Sequence, residues 1–546
     1  FETVPAVVFG RIALLGEARD GKNGLLVWSN TNKARLHYRG GDLASALFLL
    51  QNPSVLPVVQ PPNFVITYRV NPGIQASYSI GNTLKISSKF YSEEGDKIKF
   101  EIKSDTADVN RKKIIFTYGD TTKESSFLGE KIITIRNKDT LTSKQVSLDV
   151  DSITIGDDDI VFSQNFISTI RDLKNVVEQK HSEIEVKIEY YNPDYPVSML
   201  NTFSQSIPAG ESYGVYNTTS LIKDFVNSSV EFVEAEFIAN RNELPDISGN
   251  LSGGRSYPLD WETNWLDYWD RALSDLLKEN IDFLIPLTTD DGIIAKVLAH
   301  LTLANDIKRK AFRQVFVGIH GASLSEMIQK TRAINNPYVN VFVQRIKKYD
   351  YDGKLKEFPE WALAVELAGM KAGSEIGTPM TFKRPSLVDV VTPAGIDWGD
   401  LDTQEALIQG GIMGLEPVVG GGWRIIKSVT SFTGSENLAL RLDEVITEIV
   451  FVQKYFAVSL EGFIGRKNEL GVLGKFTSTL TGLCNNLVNM GVLVSSLDKD
   501  GTIIPPYRKI QVRQEGDKIV WSLEATLSVG INFIFGDVYA FPPGVS

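Results

Sequence analysis

Phe283-Leu284-Ile285-Pro286, Gln314-Val315-Phe316-Val317-Gly318 and Val339-Asn340-Val341-Phe342-Val343 are three short apolar runs. Residues 293–303 and 324–333 separate them and carry apolar side chains at helical spacing. Runs this continuous read as strands covered on both faces, not as strands with one wet side. Strands alternating with helices of this length predict a mainly parallel sheet with helices packed over it.

The same texture extends outward. Trp261, Trp265, Tyr268, Trp269, Ala272, Leu273, Leu276 and Leu277 share a wide stripe of one long helix, and residues 361–372 predict another. Residues 206–419 are therefore assigned to one α/β domain. Residues 1–82 read as an α/β segment that packs with it. In that segment Asp42 is the expected N-cap of a helix through Leu43, Ala46, Leu47 and Leu50. Asn52-Pro53-Ser54 ends the helix, and residues 64–70 form a strand up to the turn Asn71-Pro72-Gly73.

Between residues 83 and 205 the pattern changes to short segments of period two, such as Lys97-Ile98-Lys99-Phe100-Glu101-Ile102 and Ile184-Glu185-Val186-Lys187-Ile188. These predict an inserted antiparallel β-barrel or sandwich that faces outward, with one helix near residues 165–177. Its lysine-bearing strands discourage edge-to-edge pairing. Residues 420–546 predict an α+β domain. In it Leu473, Phe476, Leu480, Leu483, Leu487 and Met490 follow spacings of 3, 4, 3, 4 and 3, one helical stripe. Strands at 507–512 and 518–523 flank a Gln514-Glu515-Gly516-Asp517 turn, and a last strand is expected at 531–540.

The 546 residues carry 56 Lys and Arg against 67 Asp and Glu, a net charge of −11, which argues against nucleic acid as the main partner. Positions 416–546 hold 12 basic and 13 acidic residues, so nearly all of the excess lies elsewhere. A near-neutral C-terminal quarter on an acidic remainder suggests one face packed on protein and another on solvent. One cysteine, Cys484, excludes an intramolecular disulfide framework and cysteine-rich metal sites. Four histidines (His37, His181, His300 and His320) leave little for a metal centre. No apolar run approaches the ~20 residues of a membrane helix. A signal segment is not evident, and a chain that opens on Phe1 is expected to lack native N-terminal residues. The composition is that of a soluble, cytoplasm-made chain.

No chemical motif is complete. Gly210-Glu211-Ser212-Tyr213-Gly214 satisfies the nucleophile-elbow pattern but lacks the strand-to-helix context that exposes such a serine. His320 follows the strand that ends at Gly318, where ligands sit in open α/β sheets, with Ser323 nearby in sequence; a capping or packing histidine is the plainer account. His300 reads as a partly buried structural residue. Asp157-Asp158-Asp159 and Asp498-Lys499-Asp500-Gly501 lack the spacing of a calcium loop. Gly420-Gly421-Gly422 lacks the lysine and helix of a phosphate loop. No catalytic residue, cofactor or metal is expected.

Taken together, the chain resembles the tail sheath proteins of contractile-tailed bacteriophages along nearly its whole length. The resemblance rests on Tyr38-Arg39-Gly40-Gly41-Asp42 with Asn52-Pro53-Ser54, Tyr68-Arg69-Val70 with Gln75-Ala76-Ser77, and Phe90-Tyr91 with Gly95-Asp96-Lys97-Ile98. It continues through Leu251-Ser252-Gly253-Gly254, and through Trp361-Ala362-Leu363-Ala364 with Gly377-Thr378-Pro379. Trp423-Arg424-Ile425-Ile426 and Gly462-Phe463-Ile464-Gly465 complete it. The extended arm that opens such proteins is nearly missing here.

The resemblance implies a structural subunit of the virion tail, assembled in the host cytoplasm. Such subunits stack in six-membered discs around an inner tail tube protein, meet baseplate and tail terminator proteins, and contract to drive the tube through the host envelope. It also implies a subtilisin-like central domain, and no membrane insertion. Ile531, Phe533, Phe535 and Val538 are the candidates for a strand that links subunits beside residues 507–523 of an adjacent copy. Arg466, Lys467 and Lys475 are the candidates for contact with the tube. The alternatives are the sheath of a bacteriocin or secretion-type contractile machine and, from another class, an α/β serine hydrolase using Ser212 or Ser323 with His320.

Overall fold

The computed structural model describes residues 9–57, 59–434, 438–465, 471–498 and 500–528. The expected terminal strand and the candidates Ile531, Phe533, Phe535 and Val538 lie outside these residues, as do Arg466 and Lys467.

The chain forms two compact units. The first contains residues 9–19, 23–71 and the chain from Asp260 onward. Its centre is a six-stranded sheet ordered Gly24–Trp28, Val65–Arg69, Ile12–Gly16, Phe283–Pro286, Gln314–Gly318 and Val339–Phe342. Every neighbouring pair is parallel except the outermost, where Gly24–Trp28 runs antiparallel to Val65–Arg69. Ile12–Gly16, Phe283–Pro286, Gln314–Gly318 and Val339–Phe342 are buried at every position, which is why their sequences do not alternate. The helix Glu360–Ala372 crosses the sheet and buries twelve of its thirteen residues. Gly318 makes that approach possible, because a Cβ there would stand 2.3 Å from the Trp361 amide nitrogen.

Two local expectations change. The second helix is Gly41–Leu49 with Gly40 as its N-cap, so Asp42 sits in the first turn and does not cap it. The aromatic helix Trp261–Leu276 is kinked at Asn264, and it buries Trp269, Ala272, Leu273 and Leu276 while Trp261 and Trp265 stay half-buried.

The second unit, residues 20–22 and 72–259, is larger than the expected insertion at 83–205. Strand pairing sets its limits. Val233–Phe237 hydrogen-bonds to Leu84–Ser88, and Ile247–Asn250 to Lys99–Ser104. Residues 206–259 therefore belong with the β unit, and the α/β unit resumes at Asp260, not at Ser206. A third departure is at position 420, because the C-terminal chain shares the first unit through its helix Asp443–Leu460.

Within the β unit there are two separate cores, the residues of one falling inside the sequence span of the other. The outer one joins Ile86, Phe100, Phe116 and Val233 under the helix Thr218–Ser229. The inner one joins Ile135, Val146, Ile184 and Val215 under Ile170–Lys180, a helix closed by a reciprocal cap between Thr169 and Asp172. A buried polar seam connects them. Arg241 donates to the Val150 carbonyl at 3.1 Å and to that of Ser198, while its own backbone is bonded to Thr202.

The unit's two chain ends meet. Ile74 and Arg255 exchange amide–carbonyl bonds of 2.8 and 3.0 Å. With closed ends and its own cores, a fragment of residues 72–259 is expected to fold alone. Cooperative thermal unfolding by near-UV circular dichroism would show it, and a non-cooperative melt would refute it.

Candidate functional site

A cluster of buried polar and charged side chains lies around the helix Asp443–Leu460. The helix is apolar nearly all round, as a helix enclosed on every side must be, yet it carries Asp443, Glu444, Glu448 and Lys454 inside. Two of these charges are paired. Asp443 pairs with Lys371 and accepts from Asn340 at 2.8 Å and Gln314 at 3.1 Å. Lys454 pairs with Asp282 and donates to the Ile281 carbonyl at 2.5 Å. Asp282 also takes the backbone amides of Gly10 and Arg11, both at 2.9 Å. Burial lowers the Lys454 ammonium below the usual lysine range, and Asp282 opposes that shift.

Nearby, Arg313 is fully buried and donates to the carbonyls of Leu276, Glu279 and Ala311 at 3.0, 3.1 and 2.9 Å. Its guanidinium lies 3.1 Å from His300 Nε2. Burial and that guanidinium push His300 down to about 3, so the imidazole is neutral and serves as a structural acceptor.

Glu448 stands apart from these pairs. Its carboxylate receives the Ser528 hydroxyl and lies against Gly377, while its second oxygen is buried with no hydrogen-bond partner among the described residues. Burial pushes the carboxyl up to about 7, with Glu444 adding to the shift and the Ser528 hydroxyl and amide and Lys371 opposing it.

Below the helix, Val472–Asn489 turns Phe476, Leu480, Leu483, Cys484 and Leu487 inward. Met490, expected on that stripe, is exposed because the helix ends at it. Beside these helices lies the hairpin Tyr507–Glu515 and Lys518–Ala525, a two-stranded sheet with both outer edges unpaired among the described residues. An open apolar groove of about 930 Å³ runs between them, lined by Phe312, Val452, Phe456, Leu460, Phe476 and Trp521 among others. Lys475 is exposed at the start of Val472–Asn489.

The hydrolase alternative finds its residues in other roles. Ser212 begins an antiparallel strand in the β unit, whereas His320 is in the α/β unit. Ser323 caps the helix Leu324–Ile334, its hydroxyl accepting from the Glu326 amide at 3.2 Å. His320 Nδ1 instead faces buried Glu360 at 2.7 Å. Gly420-Gly421-Gly422 forms the turn of a small hairpin, with φ of 94°, 105° and 84°. Among the described residues no cluster of three or more His, Cys, Asp or Glu is placed to hold a metal ion, and no helix is long and apolar enough to cross a membrane. The buried charges of the Asp443–Leu460 helix, Glu448 among them, have no counterpart in the sequence reading, although four ionisable residues in an otherwise apolar helical stretch are a signal that could have found them.

No family model matches the chain. Its fold is that of a sheath tail protein: over 96% of the chain it superposes on 99% of the solved structure of the one from Desulfitobacterium hafniense, with a TM-score of 0.54 and 12% identity. In sequence it is 26% identical over 481 residues to the tail sheath protein of Bacillus phage SP01, covering 83% of this chain and 80% of that protein. It is 22% identical over 405 residues to a putative tail sheath protein of Enterococcus phage phiEF24C, covering 69% and 68%. These likenesses bear out the resemblance to phage tail sheath proteins.

Two outcomes test the site. Lys454→Met leaves Asp282 buried without its cation, and denaturant unfolding should show a loss of about 3–5 kcal/mol; a change near zero would contradict the pairing. Glu448 holds its proton in the folded chain up to about pH 7 but in the unfolded chain only to about 4.5, so its contribution to stability falls as pH rises through that window. The melting temperature of Glu448→Gln, relative to the native chain, should therefore rise between pH 5 and pH 8. A difference that is flat with pH would refute the burial effect.

Proposed function

We propose that this chain is the structural subunit of a contractile phage tail sheath, which polymerises around an inner tube and shortens to drive that tube through the host envelope. The observation that carries the proposal is sequence similarity to a phage tail sheath protein over 481 residues, on a fold shared with a sheath tail protein along 96% of the chain. The six-membered disc, the tube, baseplate and terminator partners, the subtilisin-like character of the parallel-sheet unit and the outward placement of the β unit are parts of the same proposal. The role is mechanical, with no bond-making step.

A sheath of this kind stores its work as a less favourable packing of subunits. If shortening buried about 300 Å² more apolar surface per copy, ~25 cal/mol/Å² would give roughly 7 kcal/mol as an upper figure. Copies must stay joined while their faces slide, and strand addition suits this because main-chain bonds do not depend on the moving side chains. The hairpin Tyr507–Glu515 and Lys518–Ala525 supports this placement. It packs on the C-terminal helices with only two strands, both outer edges are unpaired among the described residues, and an apolar groove lies alongside. Ile531, Phe533, Phe535 and Val538 of an adjacent copy are the proposed added strand, while Arg466, Lys467 and Lys475 are the proposed tube contacts.

Electron microscopy of the purified protein should show hollow striated cylinders; a protein that stays monomeric under all conditions would count heavily against the proposal. Truncation after Gly530 should leave folded subunits that do not polymerise, and normal cylinders would remove the terminal strand from its role. Reversing the charges of Arg466, Lys467 and Lys475 together should weaken cosedimentation with the tube, and unchanged binding would clear them.

A further inference from the structure

The last described stretch of chain is tied down at successive residues. Val494 donates its amide to the Thr526 carbonyl at 3.0 Å, and Thr526 donates its own to Pro506 at 2.9 Å. Leu527 bridges Leu493, and the Ser528 amide reaches the Val492 carbonyl at 3.3 Å. These are backbone ties that any residue could make. Ser528 adds one that depends on its side chain, since its hydroxyl donates to Glu448 in the second turn of the Asp443–Leu460 helix.

The other wall of that contact is Gly377. Its φ of 78° suits glycine, and a Cβ built on it would stand 2.2 Å from Glu448 Oε1. Both demands are met by glycine alone among the common residues. The Gly377-Thr378-Pro379 motif thus leaves room for a carboxylate. Glu444, one turn before Glu448, and the Lys371–Asp443 pair are the charged groups that bear on it. A buried carboxyl group beside another is costly to keep unless its oxygens are hydrogen-bonded. Here the hydrogen bond in use goes to the residue from which the chain runs on to Ile531, Phe533, Phe535 and Val538.

We propose that Glu448 is a positioning residue for subunit linkage: with Gly377 it forms a socket that grips Ser528 and fixes the point from which the linking strand leaves the subunit. This rests on the proposed strand linkage. Without the hydroxyl bond Ser528 keeps only its amide tie to Val492, so the chain beyond it would be held less firmly and linked copies would lose a common spacing.

The test uses the full chain, with Ser528→Ala, Glu448→Ala and Gly377→Ala as disruptions and Ser528→Thr and Glu448→Gln as conservative variants that keep a hydroxyl donor or an acceptor. The disruptions should raise the concentration needed for cylinder formation by several-fold, up to about tenfold, the scale of a lost hydrogen bond. They should also speed proteolytic removal of residues 529–546, while Ser528→Ala melts within a few degrees of the native chain. Both conservative variants should assemble like the native chain. If Ser528→Ala assembles at the native concentration with unchanged clipping, the socket has no positioning role. If Glu448→Gln fails as badly as Glu448→Ala, a hydrogen-bonded socket is likewise refuted. Truncation after Gly530 separates the two ideas: normal cylinders from the truncated chain overturn the linkage itself, whereas loss of cylinders there with normal assembly of Ser528→Ala overturns only the socket.

Discussion

Two lysine–aspartate pairs fasten the Asp443–Leu460 helix: Lys371 of the Glu360–Ala372 helix holds Asp443, and Asp282, just before the strand Phe283–Pro286, holds Lys454, while the C-terminal helix and hairpin pack on the same helix. Apolar packing alone would let a helix that is greasy on every side settle in several registers. The pairs lie eleven residues apart, about 16 Å along a helix, so a slip of a single turn would separate both at once and strand four charges out of water. Gln314 and Asn340 add directional bonds to the same carboxylate. A body that pulls on its neighbours through its C-terminal region needs that region to share one rigid frame with its core, and these contacts supply the frame.

The periphery follows the opposite principle. The Tyr507–Glu515 and Lys518–Ala525 hairpin leaves two edges unpaired among the described residues and sits beside an apolar groove. Open edges are hazards in a protein that works alone and assets in one that works as a polymer. Firm interior docking and unfinished edges in one unit suit a subunit that keeps its own shape while its contacts with others change.

How much of this was legible follows from where the information lies. The parallel sheet could be read from the sequence because Phe283–Pro286, Gln314–Gly318 and Val339–Phe342 are covered on both faces and so are apolar throughout. The β texture of the insertion was equally plain, but its end was not. Val233–Phe237 alternates like any half-buried strand, and only its partner, about 150 residues earlier in Leu84–Ser88, says which unit it joins. Local periodicity carries no record of pairing over that distance. The buried charges of Asp443–Leu460 were missed because an isolated Asp or Lys is usually wet; their apolar flanks were the clue. Gly377 was visible as part of a family-like motif, but its reason, the Glu448 carboxylate, is supplied by a residue 71 positions away.

The bridge between Ile74 and Arg255 closes the β unit at its base, so the host fold meets an insertion of nearly two hundred residues as if it were a tight turn. The central strands need nothing from the insert except that its two ends arrive together. The module can therefore be exchanged or reshaped as a whole, while the parallel sheet keeps its inherited register.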